Sequence, residues 1–142
     1  AVCVKLVESP KSIKYAISVG TRTPLYAGAR GKMILANLPL DKQESIIQQG
    51  LNKFTDKTIV DPVKVLSELK KIRKNGWCYS NGERLEAVVG IAVPLFNRKK
   101  EIIAALSVGG PAHRMTPDKT EQYLNILLKD REEVQKYLNL DF

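Results

Sequence analysis

The residues of this 142-residue chain that could do chemistry gather in one stretch, AALSVGGPAHRMT, from Ala104 to Thr116. Ala105-Leu106-Ser107-Val108-Gly109 has the A-x-S-x-G variant spacing of a nucleophile elbow. There a strand turns sharply into a helix and holds the serine hydroxyl beside oxyanion donors. The residues that follow, Gly110-Pro111-Ala112-His113-Arg114, cannot open a helix at once. His113 is the one histidine of the chain, so a serine hydrolase would have to bring it back to Ser107 across a Gly-Pro turn. A strand ending in a glycine turn accounts for the stretch more simply. Metal chemistry fares no better, because a lone histidine with Cys3 and Cys78 far apart does not make a ligand set. Glu83 and Glu86, three residues apart ahead of an apolar run, read as solvent-facing carboxylates rather than an acid/base pair. The expectation is no catalysis, no metal and no cofactor.

Binding suits a second stretch, TPLYAGARGKMILA (23–36). A turn leads into a helix through Ala27, Gly28, Ala29 and Gly31. The first N–H groups of a helix lack intrahelical partners, and the helix dipole favours an anion there. Small residues let a ligand approach that backbone. They equally let the helix pack tightly on a sheet, and the sequence leaves these two roles open. Gly31-Lys32 is followed by Met33, so the stretch lacks the G-x-x-x-x-G-K-[ST] pattern of nucleotide-phosphate loops.

The elements that must position these residues follow from patterning. VCVKLV (2–7) and IKYAISV (13–19) are β-rich runs around the turn composition ESPKS and read as an antiparallel hairpin. Residues 25–37 are helix-compatible between Pro24 and Pro39. Asp41 and Glu44 suggest a capping box for a short helix over 42–49, stopped by Gly50. Asp61-Pro62 opens a clearer helix with Val65, Leu66, Leu69 and Ile72 as its stripe, closed by Asn75-Gly76. WCYS (77–80) reads as a short strand, and ERLEAVVGIAVPLF with EIIAALSV around NRKK as a second hairpin. Thr116-Pro117-Asp118 starts a last helix to about Leu138 that buries Leu124, Leu127, Val134 and Leu138. Strand pairs at both ends with helices between them define a single α+β domain with an antiparallel sheet.

Composition bounds the function. Hydrophobic residues make up 44% and charged residues 27%, an ordinary globular balance. No apolar run reaches the roughly 18 residues needed to cross a bilayer. Two cysteines without C-x-x-C spacing read as buried thiols of a reducing, cytoplasmic protein. Net charge is +8. The positive residues are spread between Lys70, Lys71, Arg73 and Lys74 on one helix and Arg98, Lys99 and Lys100 at one turn. With aromatics at only 6%, this reads as solvated surface rather than a nucleic-acid face. The chain begins AVCVKLV without a methionine, as a piece of something longer would.

In order along the chain, GTRTPLYAGARGKMILANLP, the helix end KIRKNGW, ERLEAVVGIAVPLF and AALSVGGPAHRMT resemble the effector-binding domain of isocitrate lyase regulator (IclR) family transcription factors. The resemblance covers essentially the whole chain. It implies a GAF-like fold, a curved antiparallel sheet flanked by helices, that binds a small-molecule effector, a carboxylate metabolite, and joins protomers into a homodimer or homotetramer. DNA would be read only through an amino-terminal winged-helix domain that residues 1–142 do not contain. Matched block by block, the family's pocket positions fall on Tyr15, Thr23, Ala29, Arg30, Gly31, Ser80, Val88, Gly90, Ser107 and Gly109. Ser107 would then donate to a ligand carboxylate instead of acting as a nucleophile. Three departures stand out: Tyr26 for the usual histidine, Gly90 for cysteine or another side chain, and Gly109 for a second serine. The two glycines imply a larger cavity and a larger or less acidic effector.

Overall fold

The computed structural model describes residues 1–139. Its elements run α1 (Ala29–Asn37), α2 (Leu40–Gln48), α3 (Pro62–Asn75), β1 (Cys78–Asn81), β2 (Val88–Phe96), β3 (Ile102–Pro111), a 3-10 turn (Ala112–Arg114) and α4 (Pro117–Leu138). The strands form one antiparallel sheet in the order β1-β2-β3. The α+β class is therefore as expected.

Local signals place most of these elements. Asp61 caps α3 by accepting from the Lys64 N–H at 2.9 Å, Pro62 starts it, and Gly76 ends it at φ 76°. Thr116 caps α4 in the same way, ahead of Pro117. The β2–β3 turn is held by Asn97, whose side-chain oxygen accepts the Glu101 N–H at 2.9 Å. Lys70, Lys71, Arg73 and Lys74 are exposed, as are the cations of this turn.

Three expectations are corrected. The stretches 2–7 and 13–19 form no hairpin; among the described residues the only pairing there is a bridge between Val2 and Arg22. A two-stranded ribbon is stable only with an apolar face to bury, and Val4, Val7, Ile13 and Val19 all stay exposed. Helix α1 starts at Ala29 rather than near 25, because Gly28 sits at φ 84°, ψ 155° and breaks the helical path. Helix α2 has no capping box: it starts at Leu40 after Pro39, without a side-chain cap. There the Gln43 amide reaches back to the carbonyl of Leu38 at 2.8 Å.

The sheet has a core on each face. Helix α1 covers one face, with Ala29, Met33 and Ala36 against Cys78, Ala92 and Ala105, and α3 closes over it through Val65, Leu69 and Ile72. Helix α4 covers the other, where Leu127 and partly buried Leu124 meet Val89, Ile91, Val93 and Met115. Val134 and Leu138 are half-buried. Cys78 is buried as a free thiol, whereas Cys3, expected to be buried too, is part-exposed and also free.

Gly31 shows how closely α1 is seated. A Cβ there would lie 2.3 Å from the Pro24 carbonyl oxygen and 3.0 Å from the Leu25 Cα, both backbone atoms that cannot swing aside. Gly31→Ala is therefore expected to lower stability by about 1–3 kcal/mol, the usual range for overpacking. Urea unfolding of the variant against the parent chain measures it, and an unchanged midpoint would show that the turn yields freely.

Candidate ligand site

Opposed residues on antiparallel strands point to the same side of the sheet. Register therefore sorts the expected residues by face. Ser80, Gly90 and Gly109 form one row, Cys78, Ala92 and Ser107 the next, and Val88 pairs with Pro111. Since Cys78 and Ala92 pack in the α1 core, this is the face that α1 covers. All five expected strand residues thus share one surface.

Two expected residues lie directly over it. A Cβ built on Gly90 would touch the Ala29 Cβ at 3.4 Å, and one on Gly109 would meet the Tyr15 ring at 3.3 Å. The glycines at 90 and 109 therefore do not open empty space at these points, as was expected; Ala29 and Tyr15 occupy it. Arg30 joins the group by donating from Nη2 to the Tyr15 hydroxyl at 3.4 Å, with its guanidinium 5.9 Å from the ring centroid. Arg114 ties the same segment down by donating to the Ile13 carbonyl. Two expected residues stand apart. Thr23 is bound through its backbone to Ala1, and Gly31 faces Pro24 and Leu25 rather than the sheet.

Ser107 lies in the interior of β3, half-buried, and its hydroxyl has no protein partner among the described residues. Pro111 lies four residues further along the strand, about 13 Å at the usual rise, and exposed His113 lies beyond it in the 3-10 turn. The sharp strand-to-helix elbow and the serine–histidine contact that hydrolysis would need are not formed. Tyr26, at the third departure, is buried: its hydroxyl accepts the Asn52 N–H at 2.8 Å and its ring stacks on Phe54.

Beneath the α1 N-terminus lies a network that the residue pattern did not reveal. Glu83 is buried, not solvent-facing. One carboxylate oxygen takes the Lys32 ammonium at 2.6 Å and the other the Gly28 N–H at 3.1 Å. Glu68 lies 3.4 Å from the same ammonium. The Thr55 and Thr58 hydroxyls fix the loop behind it, donating at 2.6 Å to the carbonyls of Gly82 and Glu83. The available signal was Lys32 itself, a lysine between the buried positions Gly31 and Met33, which requires a buried carboxylate.

Burial acts against the Lys32 charge. Its neighbours more than offset that, and its pKa ends above the ordinary value of 10.5. The neighbours that raise it are the Cys78 sulfur when ionised, then Glu83 and Glu68; burial pushes the Cys78 thiol up to about 12, so at neutral pH it is protonated and the two carboxylates hold the ammonium. A cleft of about 520 Å³ also opens on the α4 face, lined by Trp77, Tyr79, Met115 and Leu124 among others. None of the expected ligand residues lines it.

Fold and face together define an α+β domain with one sheet face covered by α1 and Tyr15. The family model described as the C-terminal domain of the bacterial transcriptional regulator IclR matches residues 1–136, and the chain belongs to that family. It is 34% identical over 131 residues to the HTH-type transcriptional regulator KipR of Bacillus subtilis, covering 92% of this chain and 52% of that protein. Among solved structures it resembles the IclR protein of Thermotoga maritima (TM-score 0.84, 31% identity, 94% of this chain and 55% of that one). It also resembles a double mutant of the inducer-binding domain of the PobR transcription factor from Acinetobacter in complex with 3-hydroxybenzoic acid (TM-score 0.80, 31% identity, 90% of this chain and 74% of that one). The chain spans about half the length of the curated relatives it matches. These relatives are transcriptional regulators, not enzymes.

Two outcomes test the buried network. Glu83→Ala leaves buried Lys32 with only the part-exposed Glu68 at 3.4 Å and takes the acceptor from the Gly28 N–H, and it is expected to cost about 3 kcal/mol by urea unfolding; a loss below about 1 kcal/mol would mean that the pair does not hold α1. The second concerns pH. Cys78 rises from 9.0 to about 12 on folding, so the folded chain holds a proton that the unfolded chain releases, and stability falls as pH rises above 9. Lys32, also raised from 10.5, adds a loss in the same direction at higher pH. The melting midpoint should hold steady to about pH 9 and then fall, and Cys78→Ala should delay the fall toward the lysine range. An identical alkaline profile in that variant would remove Cys78 as the cause.

Proposed function

We propose that this chain is the effector-sensing unit of an IclR-type transcriptional regulator that takes a small carboxylate metabolite on the α1-covered face of its sheet. The observation that carries this is the grouping of Ser80, Gly90, Ser107 and Gly109 on one surface under Ala29, Tyr15 and Arg30. Ser107 offers a hydroxyl donor without a protein partner among the described residues, and Ala29 of the first turn of α1 lies over Gly90 on the same face. The ligand enters as the Tyr15 ring leaves Gly109, which couples occupancy to the irregular segment ahead of α1. The reported state is a shift between two arrangements of the protomers. Their association as a homodimer or homotetramer, in the cytoplasm, delivers that shift to a DNA-binding domain outside residues 1–142. Occupation of the glycine positions by Tyr15 and Ala29 supports a second reading, a filled domain that only joins protomers.

A thermal-shift screen with small carboxylic, hydroxy and aromatic acids separates the two. A ligand at about 100 times its Kd stabilises by roughly 2.7 kcal/mol, which raises the midpoint by about 8 °C in a domain of this size. Ser107→Ala is expected to weaken that ligand about tenfold or more, the loss of a hydrogen bond to a charged group. A panel without any shift, from a chain that still associates, would leave the protomer-joining reading standing.

A further inference from the structure

Arg84 is the one side chain among the described residues with buried nitrogens that lack any hydrogen-bond partner: both Nε and Nη1 are shut off from solvent and unpaired. Its stem is firmly placed, with Cδ and Cγ lying 3.4 and 3.7 Å from where a Cβ on Gly28 would be. The neighbouring carboxylate does not answer it: the oxygens of Glu83 accept from Lys32 and the Gly28 N–H and from neither of these nitrogens. A guanidinium cannot shed its proton to escape such a site. A buried donor without a partner calls for a specific account.

Its location supplies one. Gly28 is the N-cap of α1, and the helix makes its first bond from the Lys32 N–H to the Gly28 carbonyl at 3.1 Å. The N–H groups of 29–31 precede that bond. The next residue, Ala29, lies over Gly90. Arg84 therefore stands at the end of α1 that borders the face carrying Ser80, Gly90 and Gly109. Taken with Nη2, either orphaned nitrogen completes a two-pronged edge that matches the coplanar oxygens of a carboxylate.

We propose that Arg84 anchors the carboxylate of the effector, at the end of α1 that borders Ser80, Gly90 and Gly109. This rests on the sensing reading above. It makes the effector an acid.

The test compares the parent chain with Arg84→Met, which keeps the stem over Gly28, and Arg84→Lys, which keeps the charge but not the fork. The probes are acetate, benzoate and 3-hydroxybenzoate, with benzamide as the neutral control and inorganic phosphate as a competing oxyanion. The readouts are the melting midpoint and the Arg84 Nε–H signal in 15N NMR spectra. Without ligand, Arg84→Met should melt about 3 °C or more above the parent, because an unpaired buried charge has gone. With the acids, the parent should show a saturable shift of the Nε–H signal that benzamide does not produce. Arg84→Met should lose that response, and Arg84→Lys should weaken it at least tenfold.

A lower midpoint for Arg84→Met with the acid response retained would overturn the proposal and make Arg84 a structural residue. Phosphate moving the signal as well as the acids do would reduce the site to a general anion hole and overturn it too. An acid response lost in Ser107→Ala but intact in Arg84→Met would sink Arg84 alone and leave the sensing reading standing. No response to any acid at Arg84 or Ser107 in the parent chain would sink both.

Discussion

The pairing of Lys32 with Glu83 is the constraint on which the rest depends. Each charge loses water on burial, and such a pair holds only when further hydrogen bonds complete it. Here they do: Glu83 also accepts the Gly28 N–H, and Thr55 and Thr58 hold its backbone from behind. The pair thereby joins the first turn of α1 to the loop leaving β1. That joint fixes where α1 begins, how it lies on the sheet and which residue covers Gly90. The fixed joint and the proposed ligand groups share one helix end.

The two faces of the sheet differ in a way that follows from their residues. Against α4 stand Val89, Ile91, Val93, Met115 and Leu127, a conventional packed core. On the other face small residues meet, Ala29 and Ala36 of α1 with Ala92 and Ala105 of the strands, and Gly90 lies under Ala29. Small residues let helix and sheet approach closely, so the covering of that face depends on single side chains. Tyr15 is one of these. It comes from a segment without regular structure, held by Arg30 at the ring and by Arg114 at the backbone. Such a cover can be displaced without unfolding a strand or a helix, which is what a sensing face requires.

Much of the frame was legible because its signals are local. Asp61-Pro62 with Gly76, and Thr116-Pro117, mark the ends of α3 and α4 through capping and the chemistry of proline and glycine. The long apolar runs on either side of NRKK pair as one hairpin. The amino-terminal stretch shows the limit of such signals. Its β-rich composition reads as two strands, yet a strand exists only where a partner and an apolar surface receive it, and Val4, Val7 and Ile13 find neither. The start of α1 was misplaced for a related reason: at Gly28 the backbone takes a positive φ that a helix-compatible composition does not disclose.

By itself the sequence determined the element types of the central and C-terminal parts and the family, because capping residues, apolar runs and the order of motifs are local, whereas the register that puts the expected strand residues on one face came from the structure. Only the tertiary structure decided what stands opposite that face. Glu83 lies 51 residues from Lys32, Ser80 and Gly109 lie on separate strands either side of Gly90, and Tyr15 reaches Gly109 from the far end of the chain. Partner choice over such separations is set by helix placement and loop path, which no local propensity encodes. Arg84 belongs to the same class. Its sequence neighbours present an ordinary charged loop, and only the tertiary packing around its stem, beside Gly28, removes Nε and Nη1 from water.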